Sequence, residues 1–220
     1  MTNNMFNNNG IYLVTDTHQC GRRGVVATAQ AAVANGVTTV QVRDKNADAA
    51  DLLALLVAVA QAVGERATVL VDDRVDVFLA ARQHGAAVHG VHVGQRDIPV
   101  AAVRAMLGPK AIVGLTANTP AHVAAVHKLP AGTVDYLGVG AIHATQTKPG
   151  HPPALGVDGF AQFVATTHLP CVAIGGIDVA DVGPLRRAGA AAVAVVSAVC
   201  TADDAAAATH KLQAAWGAGA

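Results

Sequence analysis

The chain has 220 residues, Lys+Arg and Asp+Glu balanced at 15 each, 52% hydrophobic residues and 3% aromatic ones. A net charge of zero removes any global field that would recruit nucleic acid or a membrane surface, and so few aromatics argue against a base-stacking platform. The length suits one domain of the larger kind, and no linker or charge run divides it.

The opening MTNNMFNNNG is polar and uncharged and lacks the basic and apolar regions of a signal peptide, so residues 1–10 are expected to form a flexible segment. From there strand-like and helix-like stretches alternate. Ile11–Asp16 reads as a strand and Gly24–Asn35 as a helix closed by Gly36. Thr38–Asp44 is the second strand, and Ala47–Val63 an Ala/Leu-rich helix stopped by Gly64. Thr68–Asp73 leads to a short helix through Arg82. Val88–Gly94 precedes a helix begun by Asp97 and Pro99, an acidic cap before a first-turn proline. Ala111–Thr116 precedes a helix starting near Thr119-Pro120. Val134–Val139 is followed by a helix from about Val157, and Cys171–Gly176 by one opened by Asp178. The last strand is Ala191–Ser197, and a helix from Thr201 to about Trp216 closes the chain, with residues 217–220 as a flexible tail.

Eight strands in alternation with eight helices, the strands apolar throughout, indicate a parallel sheet covered on its outside. The fold class expected is therefore α/β, a single (β/α)8 TIM barrel over residues 11–216. A doubly wound open sheet is the alternative; it would normally carry a GxGxxG turn after the first strand, where this chain has THQCGRRG. Three widely spaced cysteines without a CxxC pair form neither a disulfide framework nor a zinc site and suit a cytoplasmic protein.

A barrel requires functional groups to gather at the C-terminal ends of its strands, and the polar residues do so. Gln41, Arg43 and Lys45 end the second strand, Asp72 and Asp73 the third, and Asp97 follows the fourth. Thr116 ends the fifth, Thr145, Thr147 and Lys148 follow the sixth, Gly175-Gly176 the seventh, and Val196-Ser197 the eighth. Strand alternation in QVRDK turns Gln41, Arg43 and Lys45 to one side and Val42 and Asp44 to the other. A guanidinium fork and an ammonium entering the mouth together call for an anionic ligand; otherwise they pair with Asp44 or Asp48 as surface ion pairs. Asp73 and Asp97, on neighbouring strands about 5 Å apart, fit Mg²⁺ or Mn²⁺ bound partly through water and substrate phosphate. Alternatively each merely caps the helix after it, or Asp73 pairs with Arg74. Two hydroxyls and a cation in the Thr145–Lys148 loop, with the Gly175-Gly176 and Val196-Ser197 turns, suit a monophosphate. The rim thus offers two anionic centres. The ten histidines give no consistent cluster and are assigned no role.

The succession YLVTD, QVRDK, VDDRVD, HVGQRD, GLTANT, GVGAIHATQTK, AIGGI and VAVVSAV resembles the thiamine-phosphate synthase family over about residues 11–200. The resemblance implies a Mg²⁺-dependent transferase. It would condense 4-amino-2-methyl-5-(diphosphooxymethyl)pyrimidine with a thiazole phosphate, giving thiamine phosphate and pyrophosphate by a dissociative route. It assigns Gln41, Val42, Arg43, Asp44 and Lys45 to the pyrimidine diphosphate, with Asp72 and Thr116 beside them. Asp73 and Asp97 match the metal ligands, and Lys148 the lysine reaching the diphosphate. Thr145, Gln146 and Thr147 match the thiazole-phosphate loop, joined by Gly176, Val196 and Ser197. Arg43, Lys45 and Lys148 are the expected catalytic groups.

Three positions depart from the family pattern. Asp72 stands for the usual Asn, Thr116 for the usual Ser, and GAIH for the usual GPIF. Two rivals follow: a thiazole tautomerase-like paralogue, which tends to lose the metal aspartates and threonines kept here, and a non-catalytic phosphate-binding regulatory barrel. Beyond the two small substrates no partner is implied, neither nucleic acid nor membrane, and self-association is allowed but not demanded.

Overall fold

The computed structural model describes residues 10–144 and 153–219. Eight parallel strands close into a barrel in strict chain order. β1 (Ile11–Val14), α1 (Thr17–Cys20) and α2 (Gly24–Ala34) are followed by β2 (Thr39–Val42), α3 (Ala49–Val63), β3 (Thr68–Asp72) and α4 (Val75–Gln83). Next come β4 (Gly90–Val93), α5 (Val100–Leu107), β5 (Ile112–Thr116), α6 (Pro120–His127) and β6 (Tyr136–Val139). α7 (Gly156–Val164), β7 (Cys171–Ile174), α8 (Val179–Arg187), β8 (Ala192–Val195), α9 (Ser197–Cys200) and α10 (Ala205–Ala218) complete it. β8 pairs with β1, so no open-sheet edge remains and the doubly wound alternative is excluded.

Two of the expected helix starts are built as the sequence indicates. Thr119 caps α6 through His122 N, with Pro120 at the first helical position. Asp178 and Asp181 form a capping box on α8. Two differ. The helix expected from Thr201 starts later, at Ala205, because Asp204 accepts from Ala207 N and caps α10, while the single turn of α9 lies before Thr201. Pro99 itself is the N-cap of α5, and Asp97 does not cap that helix.

Strand parity divides the core. One apolar layer lies between sheet and helices; a smaller one, including Tyr12, Leu70, Ile112, Tyr136 and Val172, fills the barrel. The registers Val14↔Gln41, Asp72↔His92, His92↔Gly114 and Thr116↔Gly138 place these side chains on the same inward face. Glycine makes room for the interior rings: a Cβ on Gly114 would lie 2.2 Å from Tyr136 Cζ. Gly114→Ala is expected to cost about 1–3 kcal/mol through overpacking, and an unchanged denaturation midpoint would contradict that packing.

The three cysteines are free and buried. No helix among the described residues is long and apolar enough to cross a membrane.

Candidate active site

The mouth is built from β2 outward. Gln41 is buried, and its Nε2 donates to Tyr12 Oη at 2.6 Å. Two residues on, Arg43 Nη1 donates to Asp16 Oδ2 at 3.0 Å, and Arg43 Nε lies 3.5 Å from Asp72 Oδ2. Lys45 Nζ lies 3.1 Å from Asp72 Oδ2 and also bonds Asp73 Oδ2. The alternation expected of QVRDK therefore holds, and its cations share one mouth. Their carboxylate partners are Asp16, Asp72 and Asp73 rather than Asp44 or Asp48. Among the described residues the mouth is a mixed cluster in which Arg43 and Lys45 meet Asp16, Asp72 and Asp73.

Val42 and Asp44 face away. Val42 lies wholly in the outer core, which leaves its backbone alone at the rim. Asp44 accepts from Asn46 N at 2.9 Å and Ala47 N at 3.1 Å and so closes its own loop. Partial burial pushes its carboxyl up, but the Thr17 hydroxyl and those two amides outweigh burial and hold it below the usual carboxylate range.

Asp73 reaches the mouth by backbone conformation. By parity it would turn away from Asp72, yet its φ of 57° is left-handed, a region aspartate enters more readily than most residues. That turn brings consecutive carboxylates onto one ammonium. Arg74 pairs with Asp76 at 2.6 Å instead of with Asp73. Asp97 Oδ2 accepts from Gly94 N at 2.7 Å, which folds the loop after β4 and fixes the carboxylate beside that strand's end. Among the described residues no group of three or more His, Cys, Asp or Glu could hold a metal ion by itself.

Beneath the cluster runs a file of polar side chains, of which sequence reading assigned a role to Thr116 alone. Tyr12 Oη and Tyr136 Oη are 3.0 Å apart, Tyr136 Oη is 2.9 Å from His92 Nδ1, and His92 Nε2 is 3.0 Å from Thr116 Oγ1. Burial pushes both phenols up, so they remain protonated. His92 shares the parity of Gly90, and the register of β3 against β4, which the sequence does not give, aligns it with Asp72. Asp16 was missed as well, although it ends the first strand on the same rim.

On the opposite side Gly175 and Gly176 have φ of 102° and 68°. A Cβ on Gly175 would lie 2.7 Å from Ala141 Cβ, and one on Gly176 2.8 Å from His143 Cβ. What approaches these glycines is thus the segment after β6, bonded by Ile142 N to Ile174 O at 3.1 Å and His143 N to Gly175 O at 2.9 Å. His143 Nε2 also meets Asp181 Oδ1 at 2.7 Å. Val196 and Ser197 form the start of α9 on the adjacent rim. Thr145, Gln146, Thr147 and Lys148 lie outside the described residues.

A family model described as thiamine monophosphate synthase matches residues 11–199. The thiamine-phosphate synthase of Corynebacterium efficiens is 51% identical over 172 residues, covering 78% of this chain and 79% of that protein. That of Laribacter hongkongensis is 42% identical over 208 residues, 93% of each. Among solved structures, thiamine phosphate pyrophosphorylase from Pyrococcus furiosus superimposes with a TM-score of 0.84 at 28% identity, covering 97% of this chain and 98% of that one.

Proposed function

Because this chain belongs to the thiamine monophosphate synthase family, we propose that the cluster around Arg43 and Lys45 is where it receives a diphosphate and releases pyrophosphate. The chain is a transferase that condenses the pyrimidinylmethyl diphosphate with a thiazole phosphate, giving thiamine phosphate and pyrophosphate. The observation that carries the placement is the convergence of an arginine fork and a lysine at the C-terminal mouth, above an amide on the same strand.

The reaction breaks the bond between the pyrimidinylmethyl carbon and the bridging oxygen, and the electron pair leaves with pyrophosphate. The resulting cation is stabilised by the amino-substituted ring, and the thiazole nitrogen closes the new C–N bond with its lone pair. No protein base is required by this route, so the chain's contribution is orientation and charge. Arg43 offers a bidentate fork to phosphate oxygens, and Lys45 a point charge on a flexible stem. Asp16 holds the Arg43 fork in place before substrate arrives, and Asp72 lies beside it at 3.5 Å. Lys148 is assigned to the leaving diphosphate, and Thr145, Gln146, Thr147, Gly176, Val196 and Ser197 to the thiazole phosphate, on the family resemblance of those positions.

The residues present fit Mg²⁺. Asp72 and Asp73 already converge on one cation, the Lys45 ammonium, and hard carboxylate oxygens are the donors that ion takes. Asp73 and Asp97 would hold it with waters and the substrate's own phosphates. When bound, the ion neutralises charge developing on the diphosphate.

Mixing the pyrimidine diphosphate, the thiazole phosphate and Mg²⁺ is expected to release pyrophosphate, with none when either substrate or metal is omitted. Ligand binding without turnover would instead establish the regulatory-barrel reading. Asp72→Asn removes one carboxylate that holds Arg43 and Lys45. It is expected to lower KM for the diphosphate by about 2- to 5-fold, the range of a solvated ion pair, with kcat kept. A collapse of kcat would show that Asp72 aims the Arg43 fork.

A further inference from the structure

The CGRRG stretch after α1 presents one side chain to the far end of the chain. Gly21–Arg23 form a single tight turn, and Gly24 leaves it at φ 76° and ψ 162°, backbone that residues other than glycine rarely adopt. Arg23 is thereby turned onto the segment that follows β8. Its Nη2 donates to Cys200 O at 2.7 Å and Val199 O at 3.2 Å, and its Nη1 to Ala202 O at 2.7 Å and Asp203 O at 3.3 Å. Its Nε donates to Thr28 Oγ1, on α2, at 3.0 Å. A guanidinium carries five N–H groups, and these bonds engage all of them.

With its donors spent on the protein, Arg23 is no ligand-binding fork; what it holds is α9. A single helical turn is too short to persist by itself, and its last carbonyls have no partner within the turn. The guanidinium meets Val199 and Cys200 there, with the positive charge that the C-terminal end of a helix favours. Burial fixes the other face: Val199 and Cys200 lie in the core, and Cys200 Sγ donates to Val14 O at 3.8 Å. The anchored residues grip the start of the turn directly. Val199 N and Cys200 N donate to Val196 O at 3.1 and 2.8 Å, and Thr201 N donates to Ser197 O at 3.1 Å. Only one helical turn, about 5 Å, separates the guanidinium from the backbone of Val196 and Ser197.

We propose that Arg23 is a positioning residue for the thiazole-phosphate half of the site, acting through α9 to fix where Val196 and Ser197 stand. This rests on the function proposed above, which assigns those two residues to that substrate. The cations assigned to the diphosphate stand on and just beyond β2 and are held by Asp16, Asp72 and Asp73. Loss of Arg23 should therefore separate the two substrates. An arginine that served stability alone would lower the denaturation midpoint and leave the ratio of the two KM values unchanged.

The test is steady-state kinetics on the full chain, each substrate varied while the other is saturating. Arg23→Ala is expected to raise KM for the thiazole phosphate about 10-fold, the scale of one well-placed hydrogen bond. KM for the pyrimidine diphosphate should move less than about 2-fold, as for a distant site. Guanidinium ion, added well below denaturing concentrations, should recover most of the loss in that variant and leave the wild type unmoved. Arg23→Lys should fall between, since an ammonium has no fork to span α9 and the loop beyond it. Equal rises in both KM values, no rise in either, or a loss that guanidinium does not relieve each overturn the role. Should Arg23→Ala fail to fold, Thr28→Val takes its place. It removes the acceptor of Arg23 Nε and should raise the same KM about 2- to 3-fold; a rise in both KM values or in neither overturns the proposal equally. Wild-type turnover is the control. Its absence would overturn the proposed function and this inference with it, whereas turnover with the two KM values moving together overturns the role of Arg23 alone.

Discussion

Arg43→Ala is expected to lower kcat/KM for the pyrimidine diphosphate by about a thousandfold, about 4 kcal/mol of transition-state stabilisation. The side chain is largely enclosed, held by Asp16 at 3.0 Å and near Asp72 at 3.5 Å, so its fork is aimed before ligand binds. Its removal takes away two directed donors at the point where negative charge accumulates on the leaving group. The barrel should survive. Asp72 keeps Lys45, and Asp16 keeps the Gln19 amide at 3.0 Å, which limits the stability cost to about 1–2 kcal/mol. Arg43→Lys should recover only part of the activity, because a point charge cannot reproduce two parallel hydrogen bonds. Turnover within threefold of wild type in the alanine variant would remove Arg43 from the chemistry.

Asp73→Asn is expected to raise the Mg²⁺ concentration for half-maximal activity by about 10- to 100-fold or more, since losing even an outer-shell partner of a ligand costs about that much. Asparagine tolerates the left-handed φ of 57° at this position, so the backbone turn is preserved and only charge is lost. Asp97→Asn should act in the same direction. Its carboxylate also accepts from Gly94 N at 2.7 Å, and the amide oxygen of asparagine can keep that bond. On the proposed metal site, chelation should abolish turnover in the wild type and leave the denaturation midpoint of the free protein unchanged, because the ion would be held partly by the substrate's phosphates. A metal titration identical in wild type and Asp73→Asn would remove Asp73 from the ligand set.

What the sequence could reveal here was set by period and position. Apolar strands separated by helices specify the barrel, and the barrel alone places every strand end on one rim. The side of β2 that faces inward was legible because alternation in Gln41, Arg43 and Lys45 leaves one choice. The partners of those cations were not. Asp16 comes from a strand 27 residues earlier than Arg43, and only closure of β1 against β2 brings the two together. Asp73 lies at the mouth for a reason alternation does not give, because parity alone would point it outward and a left-handed turn returns it to Lys45. The Tyr12–Tyr136–His92–Thr116 file was illegible for a related reason: β4, β5 and β6 pair as neighbours, but Tyr12 on β1 meets Tyr136 on β6 only across the barrel interior. Helix ends failed where competing caps lay close together. Asp204 started a new helix past the expected Thr201, and Asp97 spent its carboxylate on Gly94.

On this account Arg43 and Lys45 receive the diphosphate at one mouth, with Asp73 beside them for the metal. The direct measurement is a crystal structure of the protein soaked with thiamine phosphate, pyrophosphate and Mg²⁺. Pyrophosphate oxygens within hydrogen-bonding distance of the Arg43 and Lys45 side chains, with Lys45 drawn off the Asp72–Asp73 pair, is the predicted result. Pyrophosphate ordered elsewhere, with the Arg43–Asp16 and Lys45–Asp73 pairs intact, would contradict it.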